Sequence, residues 1–131
     1  MNDDELLHAF HQGSLTATGF HHGDHLHLTW ALLQRHGEAT ATRVLCAGIQ
    51  RLATLHGHAE KYHETLTRFW VRAVALHMAQ HPDSATFDDF ITACPQLLDK
   101  ELPYRHWRRE TMISAQARAH WVEPDLLPLP Q

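Results

Sequence analysis

The sequence FHHGDHLHLTW, residues 20–30, places four histidines and one aspartate at the start of an apolar helical pattern. With His21 as the N-cap, Asp24 falls at the third helical position, where its carboxylate can accept a hydrogen bond from a free amide and favour the positive helix end. The apolar residues that follow recur at helical spacing; they are Leu26, Trp30 and Leu33. A helix is therefore predicted from about His22 to Gly37, with the rest of the chain packed around it.

Three further segments carry a helical pattern. Residues 2–12, 38–55 and 58–80 each have an apolar stripe and are bounded by capping residues, glycine or proline. Gly48, in the second of these segments, suits a close approach of another helix. No stretch alternates at period two, so the predicted class is all-α. We expect a single domain over residues 1–131, a bundle of about four main helices with short C-terminal helices and an extended tail.

Composition narrows the functional class. The formal net charge is −4 and the basic residues are scattered, whereas DNA-binding domains normally show a basic stripe, so no nucleic acid partner is expected. No apolar run approaches membrane-spanning length, so no membrane partner is expected either. Cys46 and Cys94 lie in apolar surroundings without C-x-x-C spacing, and the acidic N-terminus does not resemble a secretory signal. These features predict a cytoplasmic protein with reduced thiols.

Histidine is the unusual component of the composition, at 14 of 131 residues. Protonation of these imidazoles, mostly between about pH 7.5 and 5.5, would reverse the sign of the net charge, so stability should depend strongly on mild acid. Histidines three residues apart share a helix face, and two such pairs occur: His8 with His11, and His22 with His25. Chance placement gives about as many pairs, so the spacing alone proves nothing.

The second histidine pair has a context that suits a metal ion. It precedes core residues, its aromatic neighbours Phe20 and Trp30 can exclude water, and Asp24 can orient an imidazole from the second coordination shell. His22 and His25 are therefore predicted to be metal ligands. Capping and surface roles are the alternative for this pair.

A catalytic metal site needs a third protein ligand and an open position. His63 is the candidate, because in the fourth helical pattern it shares a face with Glu60, Thr67 and Trp70. Glu64 is the candidate general base, and either glutamate could be a fourth ligand. The segment is not a zincin motif, since Thr67 stands where the second histidine would be. The alternative makes His63 a core-edge histidine bonded to a neighbouring helix, and Glu64 a solvated helix residue.

The same site would need a pocket for substrate. Trp30, Trp70 and Trp121 could form its walls together with Thr67, although packing in the core is the stronger alternative for Trp30 and Trp70. Arg118 could close over the pocket, or it could hold the extended tail in place. Phosphate-binding glycine loops and the G-x-S-x-G motif are absent from the sequence, which disfavours nucleotide and serine-nucleophile chemistry.

Three motifs resemble a family of small all-α bacterial proteins without an assigned activity. They are aromatic-x-His-x-x-His-Leu at residues 20–26, Tyr-His-Glu-Thr-x-Thr-x-Phe-Trp at residues 62–70, and Ser-x-x-Ala-Arg-x-x-Trp-Val-Glu-Pro-Asp-Leu at residues 114–126. Together they cover about a fifth of the chain. The resemblance supplies no activity, but it implies functional positions; these are His22, His25, His63, Thr67, Arg118 and Trp121.

Three hypotheses follow from the sequence. In the first, the protein binds one divalent transition metal (Zn, Fe, Ni, Mn or Cu) through His22, His25 and His63; if it is an enzyme, the metal would activate water or bind dioxygen beside a small molecule. In the second, it is a non-enzymatic interaction or pH-sensing domain with structural histidines, whose Leu/Pro tail binds a partner or a second copy of the chain. In the third, it is a small-molecule sensor or carrier that uses the pocket without metal.

Overall fold

The computed structural model describes residues 1–15 and 20–130. These residues form helices and no strand, which confirms the all-α prediction. The chain divides into two compact units, Met1–Tyr62 and His63–Gln131, called the first and second unit below. The single-domain organisation stays a prediction. Among the described residues, no helix has the length and apolarity that crossing a bilayer requires.

The described residues of the first unit form three α-helices: α1 (Asp3–Gln12), α2 (His22–Arg35) and α3 (Glu38–Leu55). The predicted bounds of these helices are confirmed to within two residues. The predicted capping of α2 is also present, because the His21 backbone N–H donates to Asp24 Oδ2 at 3.0 Å. A 3-10 turn, Ala59–Lys61, follows α3.

Capping residues define both ends of helix α1. The Glu5 N–H donates to Asn2 Oδ1 at 2.8 Å and the Asn2 N–H donates to Glu5 Oε1 at 3.1 Å, so each residue satisfies a free amide of the other. Gly13 ends the helix with a φ of 71°, a left-handed conformation that disfavours residues with a Cβ. The side chains that α1 buries are Leu6, Leu7, Ala9 and Phe10.

Polar and apolar contacts hold the helices of the first unit together. His27 Nε2 lies 2.6 Å from Asp3 Oδ1, which links α2 to the first turn of α1. Gly48 of α3 lies against Phe10 of α1, and a Cβ built on this glycine would be 2.0 Å from Phe10 Cζ. The predicted close helix–helix approach at Gly48 is therefore confirmed, and the absence of a side chain makes it possible.

The second unit contains four α-helices joined by two short 3-10 turns. The α-helices are α4 (Glu64–Gln80), α5 (Phe87–Ala93), α6 (Arg109–Met112) and α7 (Ala115–Ala119). The 3-10 turns are Pro95–Leu98 and Leu102–Arg105. Thr86 and Ser114 cap α5 and α7, because their hydroxyls accept from Asp89 N–H and Ala117 N–H at 3.1 Å each.

The predicted start of the fourth helix at residue 58 is wrong. Gly57 adopts a φ of 73°, the 3-10 turn Ala59–Lys61 follows it, and α4 begins only at Glu64. His63 is the N-cap of α4 and has an extended backbone. Glu60 therefore does not share a helix face with His63, which removes the geometric basis for treating them as a ligand pair.

Candidate functional site

His63 is buried and both of its ring nitrogens take part in hydrogen bonds within the second unit. Its Nδ1 accepts the Leu66 N–H at 3.0 Å, which caps the first turn of α4. Its Nε2 lies 2.6 Å from the carbonyl oxygen of Met112, to which it donates. A nitrogen that accepts carries no proton, so this arrangement defines a neutral imidazole with its proton on Nε2.

The surroundings of His63 favour that neutral state. Burial is the largest cause that lowers the pKa of His63 below its ordinary value, and the positive charge of Arg118 lowers it further. The hydrogen bond to Met112 acts in the opposite direction. Since Nδ1 caps a helix N-terminus, a proton there would both remove the cap and add a positive charge at the positive end of the helix. These contacts match the alternative given for His63, a core-edge histidine bonded to a neighbouring helix. A metal ion on either nitrogen would have to displace a hydrogen bond.

Thr65 and Thr67 extend this network along α4. Thr67, predicted to line a substrate pocket, is buried and donates to the carbonyl oxygen of His63 at 2.7 Å. Thr65 has no solvent exposure; its Oγ1 donates to His120 O at 2.7 Å and accepts the Val122 N–H at 3.2 Å. These bonds fix the segment after α7 against the first turns of α4.

The aromatic side chains of the second unit form a packed cluster around Trp107. Trp107 has no solvent exposure, and its Nε1 donates to Val122 O at 2.9 Å. The rings of Phe69 and Trp121 meet it edge to face, with centroids 5.6 and 5.5 Å away. Trp70 is also buried and packs edge to face on Phe69 at 5.1 Å. Core packing therefore accounts for the contacts of Trp70, while Trp121 is only half-buried at the edge of the cluster.

The charged residues predicted near the site lie at the protein surface. Glu64, the candidate general base, is partly exposed and lies 3.9 Å from Arg68 one helical turn later, a geometry typical of a stabilising surface pair. The guanidinium of Arg68 in turn lies 5.0 Å from the centre of the Trp121 ring. Arg118 is exposed on α7, and its charge acts on His63.

Residues 121–130 form a C-terminal tail outside the helices, with a bend at residues 125–127, and hydrogen bonds of both backbone and side chains hold it. The Leu126 N–H donates to His106 O at 2.8 Å, and His106 Nδ1 lies 2.9 Å from Leu127 O. The carboxylate of Asp125 accepts the Arg108 N–H at 2.9 Å and the Thr111 hydroxyl. These hydrogen bonds lower the pKa of Asp125 below its ordinary value, and the bond from Thr111 has the largest effect.

His22 and His25 lie in the first turn of α2, in the first unit. Both side chains are half-buried, and the ring of His25 meets that of Phe20 edge to face at 6.0 Å, so Phe20 covers one part of this imidazole. The pKa of His25 is lowered to about 4, mainly by desolvation and to a smaller extent by the neighbouring His22. His25 is therefore a neutral imidazole at pH 7. Trp30, further along α2, is buried with 2% exposure, as expected of a core residue.

The residues predicted to bind metal do not form a recognisable metal group. Within residues 1–15 and 20–130, no cluster of three or more His, Cys, Asp or Glu side chains has an arrangement that could hold an ion. The pair His22 and His25 lies in the first unit, whereas His63 begins the second. Metal binding stays a prediction, and the structure gives His63 another role.

A cavity in the first unit, which we call the α3 cavity, was not anticipated from the sequence. Its volume is about 450 Å³. The apolar part of its lining comes from Leu15, from Phe20 and from α3. The α3 residues are Ile49, Leu52 and Ala53. The polar part comes from the end of α3 and the 3-10 turn; it comprises His56, His58, Lys61 and Tyr62. The clustered polar residues after Leu55 are the sequence feature that could have indicated it.

Local bonds position the polar part of the α3 cavity. Gly57 takes a left-handed conformation and the His58 N–H donates to Ala53 O at 2.7 Å, which ends α3 and turns the chain. His56 Nε2 lies 2.8 Å from Leu15 O, so this imidazole connects the end of α3 to the segment after α1. Lys61 is the last residue of the 3-10 turn and is exposed.

Comparison with known proteins adds no relative: no family model, curated protein or solved structure matches the chain. The resemblance to a family of small bacterial proteins therefore stays a prediction.

Proposed function

We propose that this protein is a non-enzymatic helical domain that binds a small molecule in the α3 cavity, and that most of its histidines have structural roles. The proposal rests on the volume and lining of the cavity. A volume of about 450 Å³ lies within the range typical of small-molecule sites, and apolar walls with a few convergent polar groups are the usual composition of such sites. The absence of a disulfide between Cys46 and Cys94 fits a cytoplasmic location.

The hydrogen bonds of the histidines support the structural half of the proposal. His63 caps α4 and binds Met112, and His56 bonds to the Leu15 carbonyl. A histidine whose nitrogens are already bonded to backbone can serve as a ligand or base only after those bonds break. The carboxylate of Glu64, the candidate base, lies 3.9 Å from the guanidinium of Arg68 in a partly exposed ion pair. The described residues therefore favour binding over catalysis.

Filling the cavity tests the proposal. Ile49→Trp places a large side chain where the ligand would lie, and Ala47→Trp puts the same side chain on an exposed position of the same helix. We expect decan-1-ol to give saturable NMR shifts of the Ile49 and Leu52 amides in the wild type and in Ala47→Trp, and at least about tenfold weaker binding in Ile49→Trp. Shifts that do not saturate, or equal binding in both variants, would contradict the proposal.

A second candidate function is the binding of one divalent transition metal ion through His22 and His25. It is supported by the lowered pKa of His25, since a neutral imidazole is the form that binds metal. The two residues also share a helix face in the first turn of α2. With water or substrate in the remaining positions, such an ion could act on a small molecule, either hydrolytically or with dioxygen.

The chain offers a matched control for this second candidate. His8 and His11 form a pair of the same spacing on exposed positions of α1. Elemental analysis of protein purified without an affinity tag should find close to one metal ion per chain in the wild type and in His8→Ala/His11→Ala. It should find almost none in His22→Ala/His25→Ala. Equal metal content in the two double variants would refute a site at His22 and His25.

A further inference from the structure

We infer that the α3 cavity takes a singly charged anionic amphiphile of medium length, such as a ten-carbon carboxylate, with its head group at Lys61. This inference rests on the proposed small-molecule function and specifies the class of ligand. Two features of the lining carry it: the sign of its charge, and the separation of its apolar and polar residues along the chain.

The charge of the lining is opposite in sign to that of the whole chain. The formal net charge of the protein is −4, yet the described lining residues include the ammonium of Lys61 and no carboxylate. His58 adds an imidazole whose N–H can donate a hydrogen bond to an anion, whereas the N–H of His56 is already donated to Leu15 O. A cation placed beside Lys61 would be repelled by its ammonium, whereas an anion meets a complementary charge.

Lys61 is the member of this group that can engage the head group. His56 is held by its bond to Leu15 O, and His58 Nδ1 lies 4.0 Å from the carboxylate of its neighbour Glu60. Lys61 has a flexible four-carbon stem that can follow an apolar wall while its ammonium reaches the ligand. Because Lys61 is exposed, the attraction is partly screened, and we expect it to change affinity by several-fold and not by orders of magnitude.

The apolar walls fix the other half of the ligand. Phe20, Ile49 and Leu52 present rings and branched chains without hydrogen-bonding groups, so they favour a hydrocarbon body. With roughly 30 Å³ for each water-sized group, a cavity of about 450 Å³ holds on the order of fifteen non-hydrogen atoms. Decanoate, with a ten-carbon chain and one carboxylate, is close to that size.

The test compares three probes of equal chain length: decanoate, decan-1-ol and decyltrimethylammonium, each titrated calorimetrically at low ionic strength. Decanoate should bind at least about fivefold more tightly than decan-1-ol, and the cation more weakly than both. Lys61→Met keeps the stem and removes the charge, so it should weaken decanoate binding about fivefold and leave decan-1-ol within twofold. Lys100→Met, the same change at the other lysine of the chain, should alter neither.

The outcomes separate this inference from the function on which it rests. Equal binding of decanoate and decan-1-ol, or equal effects of Lys61→Met and Lys100→Met, would overturn the assignment of an anionic ligand while leaving the cavity as a binding site. Binding of none of the three probes, together with identical behaviour of Ile49→Trp and Ala47→Trp, would overturn both. Decanoate binding that survives unchanged in Ile49→Trp would show that the anion binds elsewhere and would also refute the inference.

Discussion

Replacing Thr65 by valine should lower the free energy of unfolding by about 1 to 2 kcal/mol. The two side chains have nearly the same shape, so the change removes the hydroxyl and leaves the packing. That hydroxyl donates to His120 O and accepts the Val122 N–H, and Thr65 has no solvent exposure. Each lost hydrogen bond costs about 1 kcal/mol net, and water that reaches the partly exposed backbone partners reduces the total.

The assay is urea unfolding followed by tryptophan fluorescence, because Trp107 and Trp121 lie in the same unit as Thr65. Thr54→Val is the control: its hydroxyl donates to Gln50 O one turn earlier on an exposed helix surface, so its removal should cost less than about 0.5 kcal/mol. Amide hydrogen exchange at Val122 should become faster in Thr65→Val only. Equal unfolding midpoints in the two variants, with unchanged exchange at Val122, would refute the role given to this hydroxyl.

Two further predictions concern the first unit. Gly48→Ala should lower the free energy of unfolding, measured by urea unfolding, by about 1 to 3 kcal/mol, because the new Cβ would clash with the Phe10 ring. Gly23→Ala is the control: nothing lies within 4 Å of the new Cβ, so this change should be neutral or stabilising. Acidification should also destabilise this unit through His25. Its folded pKa of about 4 lies below the unfolded value of 6.5, so the unfolded state binds the proton first and stability falls as the pH drops from 6.5 towards 4. At pH 5 the free energy of unfolding should be lower by about 1 to 2 kcal/mol, after allowance for the partial exposure of the ring. The measurement is urea unfolding with chelator present. A His25→Phe variant with the same pH dependence would refute the assignment of this effect to His25.

Helix ends were predictable from the sequence where the signals are local. The cap of α1 at Asn2 and the stop at Gly13, which bound the predicted segment 2–12, both use atoms within a few residues of the helix end. The small residue at Gly48 likewise indicated a close approach, although the sequence did not say that Phe10 would fill the space. Such features depend on short-range sterics and hydrogen bonding, which the order of residues specifies directly.

The start of α4 and the role of His63 were not predictable in the same way. Periodicity suggested that the helix began at residue 58, but the left-handed turn at Gly57 and the 3-10 turn after it delay the helix until Glu64. The acceptor of the His63 proton is the carbonyl of Met112, 49 residues later in the chain. A backbone carbonyl has no side-chain signature, so a pattern of histidines could suggest ligands but could not reveal that the partner was the main chain.

The contacts of the second unit bear on where function should be sought. In residues 63–70, three side chains bond to backbone atoms: His63 to Leu66 and Met112, Thr65 to His120 and Val122, and Thr67 to His63. Withdrawing any of these groups to serve a ligand would break a hydrogen bond to the backbone, at a net cost of about 0.5 to 1.5 kcal/mol for each bond. A ligand gains most where polar groups already border open space beside apolar walls. In the described chain the α3 cavity meets that condition, and for this reason we propose a binding function for the first unit and a stabilising role for the histidine and threonine residues at the start of α4.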